Sequence, residues 1–468
     1  MSVLTFADLI EGLAGQQMSR GGQVITGASV DPLLAIPGSL FIATASETIE
    51  DDLAAAFQRG ALFALVPDSY QGHQSSHPPD EWNDLRDLAD SHTPLCIRVA
   101  NPVRSLQTLA AYWRGRHPAV EAHFVTGTVG KTTTKDLIAE VLDQRFRTLT
   151  NAGSLGSDMD IPLALLGLSG GHDRAVLELN VPGQTGFFGP MVQPRIGVIT
   201  NVGASFSDGS GSQAELAFRI GELLESLPGD GVAVLNYDDP WVRDMHTRTD
   251  ARVFTYGLTP QADLWADDVV GMGLDGIHFR LHYRDEAIHL RVPMIGRHSV
   301  HTALRAAAVG LAEEFSWQSI VRGLQLGNTQ LRLVAVRSYH GALILDDTYN
   351  ASLESSLAAL NLLDEMGGRK IALIGAAVTE AAAIGHQMVG HRAAQVADYL
   401  ITVGHSAGEV AAAARNAWMP SKSIVELEDL EQAVEHLDGI LTEDDVLLIK
   451  GPQDLELDRI TAALEADS

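Results

Sequence analysis

The run TGTVGKTTT, Thr126 to Thr134, constrains this chain more than any other stretch. The apolar residues Ala122 to Thr126 lead into it and read as a strand. Behind it Thr134, Leu137, Ile138, Val141 and Leu142 recur at helical spacing. A glycine-rich turn between a strand and a helix N-terminus is the context of a phosphate-binding loop. Gly127 and Gly130 let backbone N–H groups approach phosphate oxygens, and Thr128 and Thr133 complete the loop. Lys131 supplies a point charge for β- and γ-phosphates, and the Thr132 hydroxyl is a ligand for Mg²⁺. The full pattern has glycine where Val125 stands, so the loop is a variant. The competing reading is a Gly-Thr-rich turn with an exposed lysine. A dinucleotide fingerprint fits less well, because Lys-Thr follows the second glycine at once.

Strand, loop and helix in this order imply an α/β fold with parallel sheet. Further strands are expected at Ala175–Leu179, Ile196–Asn201 and Val232–Asn236. A hairpin is expected from Ile277–Leu281 and Ala287–Val292 across the Tyr283–Glu286 turn, and a helix from about His298 to Glu314. Before the loop, Ser39–Ala43, Ala61–Val66 and Leu95–Val99 read as strands and Asp51–Arg59 as a helix. Asp68 to Pro94, rich in Ser, His, Pro and Asp, reads as a surface excursion with a short helix. After it, Ala342–Leu345, Lys370–Ile374, Tyr399–Val403 and Val446–Ile449 read as strands, with the clearest helix at Ala383–Ala397. The expectation is three α/β domains. Residues 1–115 form a small α/β domain, 116–328 a central P-loop-type parallel-sheet domain that binds ATP, and 329–468 a C-terminal Rossmann-like domain.

Composition narrows the function classes. There are 32 basic against 60 acidic side chains, a net charge of −28. Nucleic-acid binders need a basic footprint, and anionic membranes attract basic segments, so neither partner is expected. No apolar run reaches the roughly 18 residues of a membrane span. The N-terminus lacks a basic region followed by a long apolar stretch, so no signal peptide is expected and the location reads as cytoplasmic. The single cysteine, Cys96, excludes an internal disulfide and reads as a small buried hydrophobe. Lysine is scarce, with five at 131, 135, 370, 422 and 450.

Glu178, in the strand AVLEL, is the best second contact for the nucleotide's metal, since a carboxylate ending a neighbouring strand is where P-loop enzymes hold Mg²⁺. An edge or salt-bridged glutamate is the alternative. Other groupings are weaker. His298 with His301, and His386 with His391, read as structural, and the serines at 205, 207, 210 and 212 read as a loop without a positioned base.

With these residues placed, the whole chain resembles the Mur ligases, ATP-dependent amide-forming enzymes of bacterial cell-wall synthesis. GTVGKTTT resembles the family's G-T-x-G-K-T-T. PRIGVITNVGAS resembles the approach to A-H-L-E, and IGRHSVHTALRAAA resembles G-x-H-N-x-x-N-A-L-A-A. LILDDTYNASLESS resembles D-D-x-Y-N-A-N-P-x-S, and IPGSLFIA resembles P-G-D-L-F-V-A. Within the family the resemblance is strongest to the members that join D-alanyl-D-alanine to a UDP-N-acetylmuramoyl tripeptide. It implies two steps: ATP phosphorylates a carboxylate, and an amine then displaces phosphate. It implies catalytic roles for Lys131, Glu178 and Arg332, with Lys131 and Arg332 on phosphates, Thr132 and Glu178 on Mg²⁺, Asp347 near the ribose, and Asn201 ordering the central site.

The departures fall on chemistry. The histidine of A-H-L-E is Ser205 and its acid is Ser207. The lysine that becomes a carbamate ligand of a second Mg²⁺ corresponds to Ile220, next to Arg219. D-S-R at the uridine side reads Asp31-Pro32-Leu33, and the glutamate of P-G-E is Gln184. The asparagine-rich segment G-N-x-N-N-x-x-G-x-P reads GSLGSDMDIP, Gly153 to Pro162. Ser299 and Thr302 replace two asparagines, Asn-Pro becomes Ser352-Leu353, and G-D-M-x-E-L-G keeps only Gly375 and Glu380. Three functions therefore stand side by side: a ligase of the D-alanyl-D-alanine-adding type, a non-catalytic or nucleotide-binding-only paralogue with a scaffold or regulatory role, and a ligase with another carboxylate and amine.

Overall fold

The chain alternates strand and helix throughout, and it does so around three sheets. The structure, a computed structural model, describes residues 3–15, 22–44, 48–72, 76–77, 94–151, 159–179, 185–203, 212–294, 296–326, 334–348, 351, 353–375, 382–404, 407–452 and 455–465. The fold is α/β with three domains, one per sheet, and the residues cluster into two compact units. The first unit holds 1–201, 217–255 and 305–323, and the second holds 202–216, 256–304 and 324–468.

In the first unit, β1 (Ala28–Ser29), β2 (Leu40–Ile42), β3 (Phe63–Pro67), β4 (Ser76–His77) and β5 (Leu95–Val99) form an all-parallel sheet in the order β1-β2-β3-β5-β4. Three of these strands lie where the sequence indicated. β4 does not: it is a two-residue edge inside the polar excursion 68–94, most of which lies outside the described residues. Cys96 is fully buried in this sheet, and burial pushes its thiol up to about 12, so it behaves as an inert hydrophobe.

The helix Pro102–Gly115 joins this sheet to the next. Asn101 caps it by accepting from Arg104 N at 3.0 Å, and Pro102 opens it where no N–H is needed. Its buried face carries Leu106, Leu109, Ala110 and Trp113. The Trp113 indole donates to Leu168 O at 3.0 Å, and the buried Arg114 guanidinium donates to Val192, His117 and Val120 carbonyls at 2.7–3.0 Å. An arginine so buried is stable only with its donors satisfied.

Next come β6 (Glu121–Thr126), β7 (Thr148–Thr150), β8 (Arg174–Glu178), β9 (Pro194–Ile199) and β10 (Val232–Asn236), all parallel, in the order β7-β8-β6-β9-β10. From β6 the chain leaves towards β7 on one side, and from β9 it leaves towards β10 on the other. The carboxyl ends of β6 and β9 therefore flank a topological switch point, where α/β sheets bind ligands.

β11 (Arg252–Gly257) leads into the second unit, where its end pairs in parallel with β12 (Leu264–Gly271). β12, β13 (Ile277–Tyr283) and β14 (Glu286–Val292) form an antiparallel meander, and Tyr283 pairs with Glu286 as the hairpin reading required. β15 (Val334–Arg337), β16 (Leu343–Asp347), β17 (Arg369–Gly375), β18 (Tyr399–Val403), β19 (Ile424–Leu427) and β20 (Asp445–Lys450) form the third sheet, ordered β15-β16-β20-β17-β18-β19. Only β15 is antiparallel. One face packs under the helices Leu353–Glu365, Ala382–Val396 and Gly408–Asn416, the other under Leu430–Ile440 and Asp458–Leu464. That doubly wound arrangement was expected from the sequence. Among the described residues no helix is long and apolar enough to cross a membrane.

Candidate phosphate-binding site

The sequence places two glycines after β6, and the backbone shows why. Gly127 has φ +131° and Gly130 φ +75°, both in the region that side chains disfavour. A Cβ on Gly127 would stand 2.1 Å from Thr200 Oγ1 and 2.9 Å from Asn201 O. Gly130 is the N-cap of the helix Lys131–Leu142, whose first turn carries Lys131, Thr132, Thr133 and Thr134. Its N-terminal N–H groups and dipole favour an anion at this end. Thr132 and Thr133 are half-buried beside Lys131, and the Lys131 ammonium donates to Thr128 O at 3.1 Å.

Asn201, just past β9, fixes the loop from the other side of the switch point. Its Oδ1 accepts from Val129 N at 2.9 Å and its carbonyl from Thr128 N at 2.9 Å. Thr200 O is in turn held by Asn236 Nδ2 at 2.9 Å. Asn201 therefore orders the loop, as the resemblance implied.

Glu178 ends β8 with its backbone paired to Val125, one strand from the loop and four residues short of Val129 along the register. It is buried, with 3% exposure, and among the described residues its Oε2 has no hydrogen-bond partner. A carboxylate oxygen kept from water without a partner is costly, and a cation offsets that cost. Asn151 fixes this strand end: its Oδ1 accepts from Glu178 N at 2.8 Å and its Nδ2 donates to Glu178 O at 3.1 Å. The buried Lys135 ammonium donates to Asn151 O at 2.7 Å. Sequence reasoning missed Asn151 and Lys135. Lys135 lies one turn beyond Lys131 in the motif's own helix, a spacing that could have revealed it.

Oxygen donors are what Mg²⁺ takes, and it commonly uses one or two protein ligands with phosphates and water completing the shell. The Thr132 hydroxyl and the partnerless Glu178 oxygen fit that donor set. Among the described residues no group of three or more His, Cys, Asp or Glu could hold a metal ion by itself.

The remaining sequence-identified residues lie elsewhere. Asp347 ends β16 in the second unit, where its Oδ2 lies 3.0 Å from the buried Lys450 ammonium. Burial lowers the Lys450 pKa, and the Asp347 carboxylate opposes that shift. Ile220 is fully buried. Asp31 caps a short turn, its Oδ1 accepting from Leu33 N at 2.8 Å, and Leu33 is exposed. Arg332, Ser205, Ser207, Gln184, Ser352, Glu380 and residues 152–158 lie outside the described residues. His386 is paired to Glu409 at 2.9 Å, and His391 Nδ1 donates to Gln387 O at 2.9 Å, both structural contacts.

Residues 125–310 match the model of the Mur ligase middle domain, and 331–452 that of the Mur ligase, glutamate ligase domain. Over 369 residues the chain is 30% identical to the UDP-N-acetylmuramoyl-tripeptide–D-alanyl-D-alanine ligase of Mycobacterium bovis, covering 73% of this chain and 72% of that one. The chain belongs to the Mur ligase family. The Escherichia coli (strain K12) ligase of the same name is 27% identical over 99% of both chains. Among solved structures, the Mur ligase fold of this chain matches MurF from Acinetobacter baumannii with TM-score 0.82 and 22% identity over 99% of each chain. It matches the MurF ligase from Thermotoga maritima in complex with ADP with TM-score 0.74 and 20% identity, over 93% of this chain and 96% of that one.

Proposed function

We propose that this Mur ligase is an ATP-dependent amide ligase that joins D-alanyl-D-alanine to a UDP-N-acetylmuramoyl tripeptide, as its curated relatives do by name. The observation that carries the reading is the phosphate loop: two left-handed glycines, a lysine and a threonine at a helix N-terminus, and a buried carboxylate oxygen one strand away. The reaction asks the protein to hold ATP, bring a carboxylate oxygen in line with the γ-phosphorus, and exclude water until an amine attacks the acyl phosphate. Backbone N–H groups of 130–132 and the Lys131 ammonium bind the phosphates and oppose the charge that spreads over the transferring group. Thr132 and Glu178 would hold Mg²⁺, which neutralises phosphate charge when bound. Asn201 and Asn151 keep the two strand ends in place. Arg332 and Asp347, from the C-terminal sheet's share of the chain, are assigned to phosphate and ribose on the family pattern. The division into a substrate domain (1–115), an ATP domain (116–328) and a closing ligase domain (329–468) belongs to the same proposal, as does a cytoplasmic location.

Two observations favour a second reading, a nucleotide-binding relative without ligase chemistry. Ile220, a fully buried hydrocarbon side chain, cannot form the carbamate that the family pattern places there, and Asp31 is committed to a local turn. Phosphate release from the purified full-length chain decides between them. The assay contains Mg-ATP, the UDP-muramoyl tripeptide and D-alanyl-D-alanine, beside a Lys131→Ala control. Release that needs both substrates and is lost in the control is the expected result. Nucleotide binding without release under any substrate pair establishes the second reading.

A further inference from the structure

One charged side chain near the loop has no place in the family pattern. In G-x-H-N-x-x-N-A-L-A-A the residue after leucine is alanine, and here it is Arg305. It lies in the helix Val300–Ala312, surrounded in sequence by the fully buried Ala303, Leu304, Ala306 and Ala307, and is itself only 5% exposed. Its Nη1 donates to Thr134 Oγ1 at 2.8 Å, in the first turn of the loop helix. The same nitrogen lies 3.2 Å from the position a Cβ on Gly130 would take, against the N-cap itself. Glycines let the chain come this close: a Cβ on Gly310 would stand 3.1 Å from the Val141 side chain, and one on Gly323 2.5 Å from Val141 Cα.

A guanidinium beside a helix N-terminus repels the positive end of the dipole and the nearby Lys131 ammonium. An anion bound in the loop reverses both terms, since it attracts all three. Burial strengthens that attraction relative to a surface arginine, because less water screens it. We propose that Arg305 is a second cation of the phosphate loop, a positioning residue that braces Gly130 and Thr134 and raises the loop's affinity for nucleotide phosphates. This rests on the nucleotide-binding reading above and deepens it.

The experiment is calorimetric titration of full-length protein with ADP in EDTA, at low and at moderate salt. Wild type is compared with Arg305→Met, Arg305→Lys, Thr134→Val and Lys131→Ala. Arg305→Met keeps much of the volume and loses the charge, and about tenfold weaker binding with a shallower salt dependence is expected. Arg305→Lys restores most of the affinity. Thr134→Val, which removes only the tether, costs about threefold and provides the test should Arg305→Met fail to fold. Wild-type affinity and salt dependence in folded Arg305→Met, or in Thr134→Val should that variant alone fold, overturn the inference while Lys131→Ala still weakens binding. Failure of wild type itself to bind ADP overturns the nucleotide reading and this inference with it.

Discussion

Glu313 shows how a single residue can set the acid limit of this protein. Its carboxylate is buried between His123 Nε2, 2.9 Å away, and a bidentate Arg174 at 2.9 and 2.7 Å. Burial alone would raise its pKa, but hydrogen bonds and charge from His123 and Arg174 outweigh that and hold it at about 2, below the ordinary 4.5. A depressed carboxylate stabilises the fold above its unfolded value, so this contribution is present above about pH 4.5 and is lost as pH falls towards 2. Glu313→Gln should cost about 3 kcal/mol at pH 7, the scale of breaking a buried ion pair, and about the same protein should be nearly indifferent to the change at pH 2. Urea denaturation at the two pH values measures both. At the loop, Glu178→Gln should leave ADP binding in EDTA intact while removing the gain that Mg²⁺ gives wild type, read by titration with and without the ion. Equal Mg²⁺ gains in both proteins would assign the Glu178 oxygen to structure alone.

Among the elements, the contact between the phosphate loop and the residue past β9 matters most. Asn201→Ala removes the acceptor of Val129 N, and roughly 1–2 kcal/mol of stability should go with it. ADP affinity should fall about tenfold, as the loop no longer arrives preorganised. A mutant with lower melting temperature and unaltered affinity would separate the two effects. The strands around this site were readable because each is a short apolar run bounded by turn residues, and β5, β10 and β18 match their expected bounds residue for residue. β12 was not readable. Its sequence LWADDVVG carries two aspartates, and the strand is bulged between Asp267 and Val270, with Asp268 at φ +51°, so the alternation breaks in mid-strand. At the site, Lys131, Thr132 and Glu178 were legible because their chemistry is carried by a local motif or a lone charge in an apolar strand. Asn151 and Arg305 were not, because each acts through residues 27 and 171 positions away.

Over the whole molecule, the charge of −28 is the dominant electrostatic fact. Like charges spread over one folded chain repel more than in its expanded unfolded state, and salt screens that repulsion. The melting temperature should therefore rise between about 20 and 300 mM NaCl by a few degrees, measured by calorimetry. A fall would mean that attractive surface pairs such as Arg248 with Glu225 outweigh the net charge. The basic side chains are unevenly placed as well as few. Lys135 and Lys450 are buried, Lys131 is half-buried and donates to its own loop, and Lys370 donates to Asp364 O. Among the five lysines only Lys422 is exposed. Amine-reactive reagents therefore meet a nearly blank surface. After Lys422, the half-buried Lys131 and Lys370 are the next to be acylated; mass spectrometry tells them apart, and suppression of the Lys131 adduct by ADP turns an ordinary labelling reaction into a titration of one site.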